Sequence, residues 1–271
     1  MPKSIIIEGI GDIDKFKIVT KKLRPLGPDE VLISNKVIGV NHIDIDYRRG
    51  KIKSEKFPLV LGFEACGFVE DVGANLEEKY QIGQRVAYAT GPIGAYTSHR
   101  IIDHKYIIDI PEYISDYEAC AYLFKGMTAH YLLRRSFFIV ENNIIMVNGA
   151  TGGVGNILCQ WAKSLNAIVI ATVGSDDKIE IAKSYGCDHV FNYNDENLVN
   201  KVLNVTGGKG VHVVYDSIGK KILDKSLSCL KIYGLMAMFG DTSGVIENIE
   251  TQKLSRNSIY LTKPSIFDYK S

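Results

Sequence analysis

A glycine-rich turn between an apolar run and an amphipathic run carries the clearest chemistry in this sequence. Residues 144–147 are apolar and predict a buried strand, glycines follow at positions 149, 152, 153 and 155, and residues 156–166 predict a helix. Residues without a Cβ allow backbone N–H groups to approach a pyrophosphate, and the helix N-terminus adds a partial positive charge. The strand, turn and helix together predict a dinucleotide-binding unit, with an ordinary strand–helix turn as the alternative.

The residues after the next predicted strand bear on which dinucleotide binds. In units that prefer NAD, an acidic residue ends this second strand and accepts a hydrogen bond from the ribose 2′-hydroxyl. Here the strand leads into Gly174, and Ser175 and Lys178 follow. Both side chains can donate to a 2′-phosphate, and the lysine neutralises part of its charge. The pattern favours NADPH over NAD, provided that the acidic pair 176–177 serves to cap the next helix.

Two halves of the chain differ in their predicted elements. Residues 1–125 contain strands separated by Gly- and Pro-rich turns, which is typical of a β-barrel-like domain. Residues 126–262 alternate apolar strands with helical runs, which predicts a parallel sheet with right-handed crossovers. The strands predicted in the first half are 31–40, 65–72, 85–89 and 96–102, and those in the second half are 144–147, 168–172, 189–193, 211–216, 235–239 and 259–262.

Composition and charge argue against several function classes. The chain has 271 residues, a hydrophobic content of 46%, a charged content of 23% and a net charge of +1. This balance gives no electrostatic basis for binding nucleic acid or an acidic membrane surface. No apolar run approaches the ~20 residues that a membrane span needs, so we expect a cytoplasmic location. Five separated cysteines without a C-x-x-C pair predict buried thiols rather than a zinc site or a disulfide framework.

Several motifs follow one another along the chain in an order that matches one protein family. They are residues 38–44 (IGVNHID), 61–67 (LGFEACG), 124–131 (FKGMTAHY), 148–155 (NGATGGVG), 215–219 (YDSIG) and 239–244 (FGDTSG). On these motifs the chain resembles the zinc-independent quinone oxidoreductases, the ζ-crystallin-like branch of the medium-chain dehydrogenase/reductase superfamily. The resemblance covers nearly all of the chain.

This resemblance implies a fold, a cofactor and a set of site residues. The fold is a GroES-like β-barrel catalytic domain over residues 1–125 and a Rossmann domain with a doubly wound parallel sheet over residues 126–262, with NADPH in the cleft between them. The implied activity is reduction of a small-molecule quinone or enone by a homodimer formed through the Rossmann domain. Position by position, the resemblance implies that the nicotinamide end of the cofactor is bound by Asn41, Asp44, Thr128 and Tyr131, and the pyrophosphate by Gly152, Gly153, Val154 and Gly155. The 2′-phosphate end is assigned to Gly174, Ser175, Lys178 and Tyr193, and the far wall of the cofactor site to Ser217, Phe239, Gly240, Asp241 and Thr242. The remaining cofactor-binding residues that it implies are Lys263, Pro264 and Ser265.

Two positions argue against the zinc chemistry of related alcohol dehydrogenases. Those relatives place a Cys near Asn41 and a His directly after Gly62, where this chain has Phe63. Without thiolate or imidazole ligands we expect no catalytic zinc. The protein is then expected mainly to position the nicotinamide against a flat apolar acceptor, with no catalytic residue assigned. Glu64 is expected to hold its loop through backbone contacts.

The chain departs from the family pattern at two places. The family often carries a tyrosine two residues past the aspartate at position 44, whereas this chain has Asp46 there and the tyrosine at Tyr47. Family members also continue well beyond residues 263–265, so we expect residues 263–271 to begin the segment that returns to the first domain. Without the rest of that segment, the first domain would lack its closing strands. Two functions remain as alternatives to a quinone reductase. One is an NADPH-dependent alkenal or enoyl reductase, and the other is a truncated NADPH-binding protein with little turnover.

Overall fold

The computed structural model of the protein describes residues 1–54 and 56–269. The chain divides into two compact units, Met1–Phe124 and Lys125–Ser271, which are called unit 1 and unit 2 below. The last two residues of the predicted return segment 263–271, at positions 270 and 271, lie outside the described residues.

Unit 1 is built from two antiparallel sheets. Its strands are β1 (Lys3–Ile7), β2 (Phe16–Thr20), β3 (Glu30–Ile38), β4 (Leu59–Val60), β5 (Ala65–Val72), β6 (Arg85–Tyr88), β7 (His99–Asp103) and β8 (Ile107–Asp109). Strands β2-β1-β4 form a three-stranded sheet, and β7-β3-β5-β6-β8 form a five-stranded one. Alternate side chains point into the core of the larger sheet, so Val31, Ile33 and Val69 are buried.

Two helices among residues 40–131 depart from the sequence-based prediction. Helix α1 (His42–Arg48) replaces the predicted active-site loop after β3, and helix α2 (Asp116–Tyr131) includes the motif at 124–131. In α1 the Asp44 carboxylate accepts a hydrogen bond of 2.9 Å from the backbone N–H of Asn41, which satisfies a donor at the start of the helix. The apolar residues of α2 are spread around the helix, so hydrophobic periodicity did not reveal it.

Unit 2 contains a six-stranded parallel sheet. Its strands are β9 (Ile144–Asn148), β10 (Ile168–Val173), β11 (His189–Asn192), β12 (Val211–Asp216), β13 (Leu230–Met238) and β14 (Tyr260–Thr262), and its helices are α3 (Gly153–Ser164), α4 (Ile179–Ser184), α5 (Leu198–Val205), α6 (Leu223–Ser228) and α7 (Thr251–Ser255). The strand order is β11-β10-β9-β12-β13-β14. The sheet is wound outward in both directions from β9, and ligands bind such folds where the winding direction switches. The predicted doubly wound fold is confirmed.

The central strands of unit 2 are buried on both faces of the sheet. Ile145, Met146 and Val147 in β9 are inaccessible to solvent, as are Val169 and Ile170 in β10. Continuous apolar runs are what such interior parallel strands require, which is why the sequence located them well. Among the described residues, no helix combines the length and the apolar character that crossing a membrane requires.

Strand β13 begins earlier than the sequence predicts. It starts at Leu230 rather than at position 235. Its pairing with β12 shifts register between Val211 and Val213, and Tyr233 has a positive φ of 60°. This irregular first part breaks the alternation of apolar residues by which a strand is predicted.

Candidate functional site

The glycine turn after β9 packs too closely to admit side chains. Gly149 has a φ of 71°, in the left-handed region that favours glycine. A Cβ at Gly155 would overlap the carbonyl oxygen of Gly149, so α3 packs directly on the turn. Gly152 is the N-cap residue of α3 and provides no side-chain cap, which leaves the first helical N–H groups, at Gly153 and Val154, pointing out of the helix. This end of α3 is suited to an anion such as a pyrophosphate.

Buried polar side chains tie the carboxyl ends of three strands together behind this turn. Asn148 ends β9, and its Nδ2 donates to Asp216 Oδ1 at 3.1 Å and to Ser226 Oγ at 2.9 Å. Its Oδ1 accepts a hydrogen bond of 2.8 Å from Thr172 Oγ1 at the end of β10. All four side chains are inaccessible to solvent. We call these four residues the strand-end network.

The carboxylate of this network also holds the turn after β12. Asp216 accepts hydrogen bonds from the backbone N–H groups of Ile218 at 3.1 Å and Gly219 at 3.0 Å. Burial raises the pKa of Asp216, and these hydrogen bonds act in the opposite direction. The network therefore fixes both the strand ends and one of the turns that leave them.

The loops after β12 and β13 contact each other where the sequence predicts a wall of the site. The carbonyl oxygen of Ser217 accepts hydrogen bonds of 3.1 Å from both the backbone N–H and the hydroxyl of Thr242. A Cβ at Gly240 would lie 3.1 Å from that same oxygen. Asp241 forms an ion pair with Lys263, with Nζ 3.2 Å from Oδ2. These predicted residues come together at the carboxyl edge of the sheet, next to Phe239, whose N–H donates to the Asp216 carbonyl oxygen at 2.9 Å.

Two of the residues predicted at the 2′-phosphate end contact each other. The hydroxyl oxygen of Tyr193 lies 2.6 Å from the position that a Cβ of Gly174 would take. Asn194 Nδ2 donates to the Gly174 carbonyl oxygen at 2.8 Å, so this corner is held by side chains that follow β11. The ammonium group of Lys221 lies 5.6 Å from the centre of the Tyr193 ring. The Tyr193 ring therefore lies between Gly174 and the positively charged Lys221 ammonium group.

The residues after Gly174 present a polar surface that carries charges of both signs. Ser175 precedes a short helical turn over 176–178, and its side chain makes no capping hydrogen bond there. Asp176 accepts a hydrogen bond of 2.8 Å from Asn192 Nδ2, which gives this carboxylate a structural partner. Lys178 is exposed, and no ion pair to it is found within residues 1–54 and 56–269. The side chains of Ser175 and Lys178 are therefore available to bind a ligand near the end of β10.

The residues predicted at the nicotinamide end of unit 2 are largely buried. Thr128 and Tyr131 lie on α2 and are 7% and 3% exposed. The ring of Tyr131 stacks on that of Tyr269, with centroids 4.6 Å apart and planes 8° apart. Burial raises the pKa of the Tyr131 hydroxyl, which stays protonated at neutral pH. Pro264 and Ser265 follow β14, and Ser265 Oγ accepts from a backbone N–H two residues later.

In unit 1 the predicted residues Asn41 and Asp44 belong to a buried hydrogen-bonded cluster. Asn41 Nδ2 donates to Glu64 Oε1 at 2.7 Å, and the other oxygen of Glu64 accepts from the backbone N–H of Phe124 at 2.9 Å. Tyr96 donates its hydroxyl proton to Asp44 Oδ2 at 2.9 Å. Burial raises the pKa of Asp44, while its hydrogen bonds lower it. Glu64 holds the start of α1 and the backbone of α2, which agrees with the structural role expected of it.

The displaced tyrosine of unit 1 packs inward, and a charged cluster lies beside it. The Tyr47 and Phe63 rings have centroids 5.8 Å apart. Asp46 lies 3.9 Å from His42 Nε2 and 3.4 Å from Lys51 Nζ. Where the family often has a tyrosine, this chain therefore has a carboxylate among basic side chains.

Sequence reasoning missed several residues that support the predicted ones. Asn148 and Asp216 lie inside the motifs, and the signal that could have identified them is a polar residue at the end of an apolar strand. Tyr96, Lys221 and Tyr269 reach their partners only through tertiary structure, and the local sequence around them gives no such signal. In the part of the chain that the structure describes, no three His, Cys, Asp or Glu side chains are grouped to hold a metal ion.

Comparison with known proteins places these elements in a family. Residues 27–134 match the alcohol dehydrogenase GroES-like domain, and residues 153–268 match the domain described as zinc-binding dehydrogenase. Quinone oxidoreductase 1 of Escherichia coli (strain K12) is 42% identical over 243 residues, which are 89% of this chain and 74% of that protein. The 2-haloacrylate reductase of a Burkholderia species is 37% identical over 278 residues, which cover 100% of this chain and 83% of that protein.

A solved structure agrees with the sequence relatives. The crystal structure of Escherichia coli quinone oxidoreductase complexed with NADPH superposes with a TM-score of 0.94 at 37% identity, covering 98% of this chain and 82% of that one. The expected GroES-like and Rossmann domains are therefore confirmed. The chain belongs to the ζ-crystallin-like quinone oxidoreductase family of the medium-chain dehydrogenase/reductase superfamily.

Proposed function

We propose that the protein is an NADPH-dependent oxidoreductase that reduces quinones. The observation that carries the proposal is the end of β10, where an NAD-preferring unit has an acidic residue and this chain has Gly174 against the hydroxyl of Tyr193. Ser175 and Lys178 follow at the same corner, and both side chains could donate hydrogen bonds to a 2′-phosphate. The relative solved with NADPH and the quinone oxidoreductase relatives support the same assignment.

The glycine turn provides a second test of whether the dinucleotide fits. A side chain at Gly155 would overlap the turn, and the N-terminus of α3 presents backbone N–H groups without a side-chain cap. We assign Gly152, Gly153, Val154 and Gly155 to the pyrophosphate on this basis. Ser217, Gly240, Asp241 and Thr242 form the adjoining wall, held by the Ser217 carbonyl oxygen and the Asp241–Lys263 ion pair.

The residues of the chain act by binding and orienting. When bound, NADPH supplies the hydride, and a quinone accepts it without metal assistance or a protein nucleophile. The strand-end network ties the ends of β9, β10 and β12 together and holds the turn after β12, so these loops can present the reacting groups in a fixed geometry. The assignment of Asn41, Asp44, Thr128 and Tyr131 to the nicotinamide end stays a prediction.

A second candidate substrate is a conjugated acid or carbonyl compound. The 2-haloacrylate reductase relative aligns with the whole chain. The cluster of His42, Asp46 and Lys51 stands where the family often has a tyrosine on which an acceptor would stack. These polar side chains can hydrogen-bond to a carbonyl or carboxylate group of such an acceptor.

NADPH oxidation by the purified protein separates these candidates. We expect rates with benzoquinone and naphthoquinone to exceed those with a 2-haloacrylate or an alkenal at equal concentration, and NADH to be the poorer donor. Faster turnover of the haloacrylate would reverse the order of the two candidates. Tight NADPH binding without turnover of any acceptor would contradict both and favour an NADPH-binding protein.

We also propose a homodimer formed through unit 2 and a cytoplasmic location. The supporting observation for the dimer is that β14 is an edge strand of the sheet, with Tyr260 exposed, so its outer backbone groups can pair with a second copy. Light scattering should then give twice the mass of one chain, and a monomer would rule this out. Fractionation of expressing cells tests the location.

A further inference from the structure

The segment after β14, residues 263–269, is held to unit 2 along its length. Its first residue, Lys263, places Nζ 3.2 Å from Oδ2 of Asp241 in the loop after β13. In its middle, Ile266 is buried within a short helical turn. Its last residue, Tyr269, contacts the end of α2 through its ring. The segment therefore links a loop of the predicted cofactor site to the helix that carries part of the predicted nicotinamide end.

The contact between this segment and α2 is a nearly parallel stack of two rings. The centroids of Tyr131 and Tyr269 are 4.6 Å apart, and their planes differ by 8°, which is the close geometry of a stacked aromatic pair. Tyr131 is 3% exposed and Tyr269 is 39% exposed, so the outer ring covers one face of the inner one. Within residues 1–54 and 56–269 the Tyr131 hydroxyl makes no hydrogen bond, which leaves this group available to a ligand.

The backbone beside Tyr131 is fixed from the sheet by a third tyrosine. Helix α2 ends at Tyr131 and is followed by a π-helical turn over Leu132–Ser136, a geometry that is rare and often found at functional sites. The carbonyl oxygen of Leu132 accepts a hydrogen bond of 3.2 Å from the hydroxyl of Tyr215, which is buried in β12. The backbone at this end of α2 is therefore held by the sheet, whereas the orientation of the Tyr131 side chain depends on the stack with Tyr269.

We propose that Tyr269 is a positioning residue, which fixes the ring of Tyr131 for contact with the reactive end of the cofactor. The inference rests on the proposed function, because it takes NADPH as the ligand and the nicotinamide end as the place of Tyr131. A ring that is already packed against Tyr269 has little rotamer freedom left to lose, so its contact with a ligand costs less entropy. A misplacement of about 1 Å in such a contact can lower a rate by about 100-fold.

This role affects turnover more than affinity. The glycine turn and the residues after β10 are assigned to the pyrophosphate and the 2′-phosphate, and neither group of residues contacts Tyr269. Loss of the stack should therefore lower kcat by about tenfold and change the dissociation constant of NADPH by less than about threefold. A purely structural role would instead lower the melting temperature and would not separate kcat from affinity.

Two substitutions of Tyr269 separate its ring from its hydroxyl. Tyr269→Leu removes the aromatic face and keeps an apolar side chain, whereas Tyr269→Phe keeps the face. We expect kcat for the reduction of naphthoquinone to fall by about tenfold in Tyr269→Leu and to stay within about twofold of the unaltered protein in Tyr269→Phe. The fluorescence emission of bound NADPH reports the surroundings of the reduced nicotinamide and needs no acceptor. It should shift toward the emission of free NADPH in Tyr269→Leu only.

The matched control is Tyr185→Leu. This half-buried tyrosine of unit 2 follows the end of α4, and no ring contact to it is found in the part of the chain that the structure describes. The control should change neither kcat nor the emission of bound NADPH. Because Tyr269 is partly exposed, Tyr269→Leu is expected to fold, and Tyr269→Gln is a second variant without a ring if it does not.

Three results would overturn the proposal. The first is an unchanged kcat and an unchanged emission of bound NADPH in Tyr269→Leu. The second is an equal loss in Tyr269→Phe, which would assign the effect to the hydroxyl, and the third is the same loss in Tyr185→Leu. Absence of NADPH binding by the unaltered protein would contradict the proposed function and this inference together. If NADPH binds and no quinone is reduced, the proposed function fails alone, and the emission still decides the role of Tyr269.

Discussion

Replacing Lys178 with alanine should weaken the binding of NADPH and leave that of NADH nearly unchanged. The ammonium group is exposed and has no ion-pair partner within the described residues, so its charge is available to a 2′-phosphate. A hydrogen bond to a charged group is worth roughly 1.5–3 kcal/mol, and solvent screening at an exposed site lowers this to about 1–2 kcal/mol. The dissociation constant for NADPH should therefore rise by about 5- to 30-fold. NADH has no such phosphate, so its constant should change less than about twofold.

Quenching of protein fluorescence by each dinucleotide measures both constants. Lys183→Ala is the matched control, because this lysine lies on α4, is exposed, and already pairs with Glu180 at 2.7 Å. The control should leave both constants unchanged. The difference between the two dinucleotides should also shrink at high salt, since screening weakens the contact with the phosphate. Equal losses for NADPH and NADH in Lys178→Ala, or the same loss in Lys183→Ala, would refute the assignment of Lys178.

Three further changes test other parts of the molecule. Gly155→Ala should destabilise unit 2 by about 1–3 kcal/mol in urea, because its Cβ would overlap the backbone of Gly149; an unchanged midpoint would contradict the close packing of α3 on the turn. Burial and the positive charge of Lys231 lower the pKa of His212, so the unfolded chain binds this proton more readily than the folded chain. The free energy of unfolding is therefore highest, as far as His212 is concerned, above the pKa of about 6.5 that the residue has in the unfolded chain, and it decreases as the pH falls through the lower pKa of the folded chain. His212→Gln should make the free energy of unfolding depend less on pH in this range. Elemental analysis should find no stoichiometric zinc, because Asn41 and Phe63 stand where zinc-dependent relatives have ligands; about one zinc per chain with chelator-sensitive activity would show this prediction to be wrong.

The fold of unit 2 followed from the sequence because most of its strands are short, predominantly apolar runs that alternate with helical runs. The short length of 144–147 and 211–216 favours strands over helices, and the helical runs between such segments predict a parallel sheet. Helix α2 was missed, since its apolar residues do not follow one face, and part of its environment comes from distant residues. The early part of β13 was missed because a bulge at Tyr233 interrupts the alternation.

The candidate site was predictable where a backbone conformation or a charge demands a particular residue. Gly155 and Gly174 are such positions, because a side chain at either would meet an oxygen atom of another residue. Contacts between distant residues were not predictable: nothing near Tyr131 in the sequence announces that its ring stacks on Tyr269, or that Lys221 reaches the ring of Tyr193. Such contacts depend on how loops from different strands meet, which local sequence does not specify.

The strand-end network explains how several loops can share one site. Asn148 uses both amide protons and its carbonyl oxygen, so it links β9 to β10, β12 and α6 at once. A leucine of similar size would leave the buried Asp216 carboxylate with two backbone donors only, and the loss of one donor to a buried charge costs more than an ordinary hydrogen bond. Because Asp216 also holds the backbone of 218–219, such a loss would move the wall loops as well as the glycine turn. The geometry of the site therefore depends on buried polar groups behind the glycine turn, which hold the strand ends and the turn after β12 through hydrogen bonds.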